Sequence, residues 1–289
     1  MIPYTLIVAS ANRPHLLAPT LSSLFAAIHP SERPVRVLVH DDAAFTIDRR
    51  ASILSAIVST LPGDVPITFR SDNPSIQHGP SLRWLLNEVD TEFVLYTQDD
   101  FSVIRPLPIA RALDALALND LHQIRFNKRD TLPAKETWQG PWTKVTKAYR
   151  CDVADSSIYT TLTIADHWYF QTGVWRVAPI RTVVNWLGID SRNAIEEHIE
   201  IKVNQVMDGH RADLPHGLIR VPPSPDALDR ERDQATRAAY QRTFIWGGID
   251  EKAYIRHIGN RPEDFAMQRN RLELGGGMMN ELMGRELKG

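Results

Sequence analysis

The 289-residue chain has a single cysteine, Cys151, so no internal disulfide can form, which fits a reducing compartment. It has no apolar run approaching the roughly 18 residues of a membrane-spanning helix. The opening MIPYTLIVASANRP is apolar, but no basic segment precedes it, and Asn12 and Arg13 interrupt it before the core of an export signal is complete. A cytoplasmic protein is therefore expected. The net charge of −2 excludes a global attraction to nucleic acid or to an anionic membrane, so any basic patch must be local. No repeat, low-complexity tract or sharp shift in composition separates one part from another, which predicts one continuous domain. What is present is ordinary for a globular enzyme: 43% hydrophobic and 24% charged residues. A chain of this length buries about 75% of its unfolded surface, enough for a substantial core.

The first half alternates between two periodicities. TLIVAS (5 to 10), VRVLVHDD (35 to 42), ITF (67 to 69) and FVLY (93 to 96) read as strands, rich in β-branched and aromatic residues. Between them, residues 15 to 28, 49 to 61 and 81 to 89 carry apolar side chains at helical spacing, and IARALDALAL (109 to 118) precedes the strand-like QIRFNK (123 to 128). Strands separated by helices of this length predict a mostly parallel α/β sheet with helices on both faces. Ligands of such sheets bind at the carboxyl ends of the strands. Both acidic pairs, Asp41-Asp42 and Asp99-Asp100, fall at those ends. Adjacent carboxylates repel, so water, a basic side chain or a metal ion must compensate each pair.

Beyond residue 130 the alternation is lost. LPAKETWQGPWTKVTKAYR mixes Trp138 and Trp142 with polar residues and turn formers, and TLTIADHWYFQTGVWRV (161 to 177) concentrates aromatics around His167. A helix is predicted over residues 193 to 209, with Ile195, Ile199, Val203 and Val206 on one face. This half reads as irregular, with some antiparallel strand and C-terminal helices.

The order of these features resembles the GT-A fold glycosyltransferases, and glycosyltransferase family 2 in particular. LIVASANRPHLL is similar to that family's first strand and turn, VLVHDDA to its second strand ending in Asp, and SDNPSIQHGPSLRWLLNEVDTEFVLYTQDD to the segment leading into its metal-binding acidic motif. The likeness extends over roughly the first 105 residues. Later it is carried by EEHIE (196 to 200), similar to the family's Glu-Asp motif, and by HIG (257 to 259), similar to the histidine that completes its metal site. The acidic motif departs from the family's Asp-x-Asp, reading Gln98-Asp99-Asp100.

The resemblance implies a GT-A (Rossmann-like) sheet, with residues 1–128 forming a nucleotide-sugar-binding half. Residues 129–289 would form an acceptor-binding and metal-completing half of the same catalytic domain. It implies a metal-dependent transferase, inverting, moving sugar from a nucleotide-diphosphate donor, UDP-sugar in the first instance, to an acceptor hydroxyl. A divalent cation would be held by Asp100, with Asp99 and His257. Mg²⁺ prefers oxygen ligands, and Mn²⁺ accepts an imidazole more readily. Ala9, Asn12, Arg13, Asp41, Arg83, Gln98 and Asp99 would surround the nucleotide sugar: Asp41 at a base edge, Arg13 and Arg83 at ribose or phosphate. Glu197 is the candidate base, followed by Glu196 and Asp166, since an attacking hydroxyl must lose its proton. His167, Trp168 and Trp175 would face the acceptor, against the competing reading that such aromatics pack the core.

Other readings stay open. The altered acidic motif admits an inactive nucleotide-binding scaffold. A phosphohydrolase or nucleotidyltransferase would need a nucleophile or a lysine-rich phosphate loop, and neither is evident. The acceptor is open among saccharide, lipid-linked glycan, protein and a modified base in DNA. The last is suggested by Lys128, Arg129, Lys135, Lys144, Lys147 and Arg150.

Overall fold

The structure is a computed structural model that describes residues 1–42, 49–72, 75–76, 78–119, 121–128, 145–152, 159–165, 170–186, 243–247 and 252–259. In chain order the elements begin with β1 (Tyr4–Ser10), α1 (Pro14–Ala27), β2 (Arg36–Asp42), α2 (Arg50–Thr60), β3 (Ile67–Asp72) and α3 (His78–Glu88). They continue with β4 (Phe93–Gln98), β5 (Phe101–Val103), α4 (Ile109–Leu118), β6 (Gln123–Arg125), β7 (Val145–Asp152) and β8 (Tyr159–Ala165). The last are β9 (Gly173–Arg176), α5 (Val177–Trp186), β10 (Thr243–Trp246) and β11 (Ile255–His257).

Among the described residues the main sheet has nine strands in the order β3-β2-β1-β4-β9-β6-β10-β8-β7. β3, β2, β1 and β4 are mutually parallel, whereas β9 runs antiparallel between β4 and β6. Parallel pairing of β1, β2, β3 and β4 requires a crossover after each strand, which α1, α2 and α3 supply. The alternation of side chains along the strands divides the core in two. Leu6, Val8, Val37, Val39, Phe93 and Leu95 pack with α1, α2 and α4. Ile7, Leu38, Val94 and Tyr96 pack on the other face with Leu82, Leu85 and Leu86 of α3 and Ile180 and Val184 of α5. Both faces being covered, these strands are continuously apolar, as buried parallel strands must be.

The mostly parallel sheet flanked by helices is as predicted. β3 runs on to Asp72, past the expected ITF, and the strand expected over 123 to 128 ends at Arg125, although Phe126 still donates its N–H to the Thr172 carbonyl. α5 has no counterpart in the sequence reading. Its β-branched residues favour strand, and burial of Val177, Ile180 and Val184 against the sheet overrides that preference. Close approach also dictates Gly173 in β9, where a Cβ would stand 2.5 Å from the Ile124 carbonyl oxygen. The helix expected over residues 193 to 209 lies outside the described residues.

Candidate active site

The carboxyl ends of β1, β2 and β4 meet at one edge of the sheet, where Ser10 is in register with Asp41, and Ala9 with Gln98. The chain leaves β1 through Ala11, Asn12 and Arg13. Asn12 turns it in the left-handed region at φ 60°, a conformation asparagine tolerates better than most residues. Pro14 then opens α1, its missing N–H harmless at that position.

The first acidic pair closes loops. Asp41 Oδ1 accepts hydrogen bonds from Ser10 Oγ (2.8 Å) and from the Asn12 N–H (2.8 Å). Burial pushes the Asp41 carboxyl upward, and these bonds offset only part of that effect. Asp42 accepts from Ser75 Oγ (2.6 Å) and from the Ile76 N–H (2.9 Å), tying β2 to the segment before α3. Behind it, His40 Nε2 meets Asp72 Oδ2 at 2.7 Å, and Arg70 grips the same carboxylate. His40 is fully buried beside Trp84, and burial lowers its pKa despite the hydrogen bond to Asp72.

The second pair is compensated chiefly by a guanidinium. Asp99 Oδ2 accepts from the Ala11 N–H (3.0 Å), Ser10 Oγ (3.3 Å) and Arg13 Nε (3.1 Å), and Oδ1 accepts from Arg13 Nη2. Thr20 Oγ1 of α1 donates to the Asp99 carbonyl at 2.8 Å. Asp100 presents Oδ2 to Arg13 Nη2 at 3.1 Å and to His257 Nε2 at 3.3 Å. Its Oδ1 is buried and has no hydrogen-bond partner among the described residues. Burial alone would raise the Asp100 carboxyl, but the hydrogen bond from His257 and the charge of Arg13 outweigh it and hold it below the usual carboxylate range. Burial likewise opposes the charge of Arg13, and Asp99 and Asp100 overcome that, raising its pKa.

His257 reaches Asp100 through the small β5–β11 ladder, where it sits opposite Phe101. The Ile258 N–H donates to the Asp100 carbonyl (2.8 Å), and the imidazole stands edge-on to the Phe101 ring, with centroids 5.3 Å apart. Gly259 passes so close that a Cβ there would lie 2.9 Å from Asp100 Cβ. Among the described residues no group of three or more His, Cys, Asp or Glu side chains could hold a metal ion. Asp100 and His257 therefore form an open pair of donors.

These contacts bring together Ala9, Asn12, Arg13, Asp41, Gln98, Asp99, Asp100 and His257. Arg83 is half-buried on α3. Arg13, expected at ribose or phosphate, is engaged by the two aspartates, its guanidinium fork meeting two neighbouring buried carboxylates at once. Trp175 requires a correction: it is fully buried and stacked on Tyr96, with centroids 4.2 Å apart, so it packs the core and cannot face an acceptor. Glu196, Glu197, Asp166, His167 and Trp168 lie outside the described residues. Ser10, Thr20 and Gly259 were not singled out from sequence. A hydroxyl on the apolar face of α1, at Thr20, was the available signal.

No family model matches the chain, and no curated protein matches it. Solved structures do. S. aureus TarS 1-349 superposes with a TM-score of 0.51 at 15% identity, covering 91% of this chain and 62% of that one. The same protein in complex with UDP gives 0.50 at 15% identity, with the same coverage. The fold is GT-A. A mannosyltransferase, PcManGT from Pyrobaculum calidifontis, in complex with GDP-Man and Mn²⁺, gives 0.47 at 19% identity over 80% of this chain and 61% of that one. The chain thus spans about three fifths of the length of these TarS and mannosyltransferase structures. Among its described residues, no helix of this GT-A chain is long and apolar enough to cross a membrane.

Proposed function

We propose that this GT-A chain is a glycosyltransferase that moves a sugar, with inversion, from a nucleoside-diphosphate donor to an acceptor hydroxyl. UDP is the favoured nucleotide. The observation that carries the reading is Asp100 Oδ1, a buried carboxylate oxygen without a partner among the described residues, at the carboxyl end of β4 beside His257. An unpaired buried oxygen is costly unless a ligand completes it. The donor set fits a divalent cation, with one hard oxygen and one imidazole, an assortment that suits Mn²⁺ better than Mg²⁺. When bound, such an ion offsets the negative charge that grows on a departing diphosphate.

The chain's own residues have separate tasks in this proposal. Asp100 holds the cation through Oδ1, and His257 joins it by exchanging its contact with Asp100 Oδ2 for the ion, leaving the other positions to phosphate oxygens. Asp41 and Asn12, fixed against each other at the ends of β1 and β2, form the floor beneath the base and ribose. Asp99 keeps Arg13 and the β1–α1 turn in place. Arg83, Gln98 and Ala9 complete the donor side. Glu197 removes the proton from the attacking hydroxyl, with Glu196 or Asp166 as alternates. His167 and Trp168 lie toward the acceptor.

Calorimetry with UDP, with and without Mn²⁺, tests the metal assignment. Asp100→Asn keeps the size and removes the charge, so Mn²⁺-dependent UDP affinity should fall about tenfold or more, a loss of ~1.4 kcal/mol. Unchanged affinity would overturn it. For the base, Glu197→Gln should leave UDP binding intact and lower turnover by about 10²- to 10⁴-fold. Survival of turnover in that variant, with its loss in Asp166→Asn, would move the role to Asp166.

A further inference from the structure

We propose that Arg13 is a resident counter-cation that makes capture of a divalent ion conditional on a nucleoside diphosphate. The inference rests on the metal-site reading above and concerns the order in which that site fills.

The guanidinium occupies the acidic site itself. Nε and Nη2 engage both oxygens of Asp99, and Nη2 also reaches Asp100 Oδ2 at 3.1 Å. Asp99 and Asp100 are 1% and 7% exposed, so this charge balance operates with little screening by solvent. Arg13 cannot easily leave. Its backbone caps α1, its carbonyl accepting from the Leu16 and Leu17 N–H groups (both 3.0 Å), and the left-handed turn at Asn12 sets its direction. Nor can it lose its proton, since the two carboxylates hold the charge on it.

Two carboxylates and one guanidinium leave the cluster with a single net negative charge. A divalent cation placed against Asp100 Oδ1 would turn that into a net positive charge, in a buried setting and close to a fixed guanidinium. The Coulomb penalty is large there, so the ion alone should bind poorly. A diphosphate reverses the balance by bringing negative charge to the outer side of the ion. The two faces of Asp100 make this possible: Oδ2 is committed to Arg13 and His257, while Oδ1 is unpartnered among the described residues. The ion therefore enters without displacing Arg13. Ion and nucleotide are then linked reciprocally, each raising the affinity of the other.

The test measures Mn²⁺ binding by electron paramagnetic resonance on the whole chain, alone and with saturating UDP. The wild type should bind Mn²⁺ alone at least about tenfold more weakly than with UDP. In Arg13→Gln, binding of Mn²⁺ alone should tighten by about tenfold or more and its dependence on UDP should shrink. Arg13→Lys retains the charge without the fork, so it should keep the weak, UDP-dependent binding of the wild type. A folded Arg13→Gln variant that binds Mn²⁺ alone no better than the wild type overturns the proposal. If Arg13→Gln does not fold, a tenfold gain in Arg13→Lys overturns it instead, and wild-type-like binding supports it. Asp100→Asn separates the two levels. If it retains Mn²⁺ binding with UDP, the metal site itself is misassigned. If it loses that binding while Arg13→Gln gains nothing, only the counter-cation role fails.

Discussion

The two acidic pairs stand on strands that flank β1, at the same edge of the sheet, yet they are compensated by opposite means. Asp41 and Asp42 are held by neutral donors, the Ser10 and Ser75 hydroxyls and the Asn12 and Ile76 N–H groups. Asp99 and Asp100 are held chiefly by the Arg13 guanidinium, with the His257 imidazole set against Asp100. Neutral donors satisfy a carboxylate and close a loop around it. A guanidinium balances it by charge, and here it leaves Asp100 Oδ1 without a partner among the described residues. The first pair is therefore suited to shaping the site, and the second to binding within it.

The sharpest way to break that contrast lies within the second pair. Asp99→Ala leaves the Arg13 guanidinium without its main partner, and removal of one member of a buried ion pair costs about 3–5 kcal/mol. Asp100→Asn should cost much less, because one of its oxygens has no partner among the described residues to lose. Urea unfolding compares them directly, and equal losses would erase the distinction between the two aspartates.

A smaller effect is expected at the first pair. Asp42→Ala removes the acceptor of the half-buried Ser75 hydroxyl and Ile76 N–H, worth about 0.5–1.5 kcal/mol per hydrogen bond. The hydroxyl and the N–H are neutral, so the loss of these two bonds should change little with salt. A loss as large as that of Asp99→Ala would show that charge and neutral compensation are energetically alike here.

The smallest effect concerns pH. His40, behind the first pair and facing Asp72, Asp42 and Arg70, has its pKa lowered by burial below the ordinary 6.5, so the unfolded chain takes up its proton first. Its contribution to stability is complete above pH 6.5 and is lost as pH falls below it, at no more than about 1.4 kcal/mol per pH unit. His40→Gln should flatten that part of the profile of urea midpoint against pH. An unchanged slope would assign the loss to another group.

Much of the site's framework was legible along the chain. Phe93–Gln98 reads as a buried strand because its apolar residues are continuous, and the acidic residues then fall at its end. His257 was legible only through the resemblance of YIRHIG to a motif, since a lone histidine signals little. The role of Arg13 was not legible. ANRP announces a turn, but the direction of the guanidinium depends on the left-handed Asn12 and on β4 lying beside β1. Trp175 was misplaced for a similar reason: an aromatic cluster shows apolar content without showing which face of β9 meets Tyr96.

The sequence by itself determined the alternation of strands and helices, the parallel order that follows from crossover helices, and the placement of both acidic pairs at carboxyl ends. These are local consequences of side-chain periodicity, and they need no knowledge of distant residues. Only the tertiary structure decided which carboxylate is locked and which keeps an open oxygen. That depends on Arg13 reaching across from β1 and on β11 carrying His257 back against β5, contacts between segments far apart in the chain whose geometry no local pattern encodes.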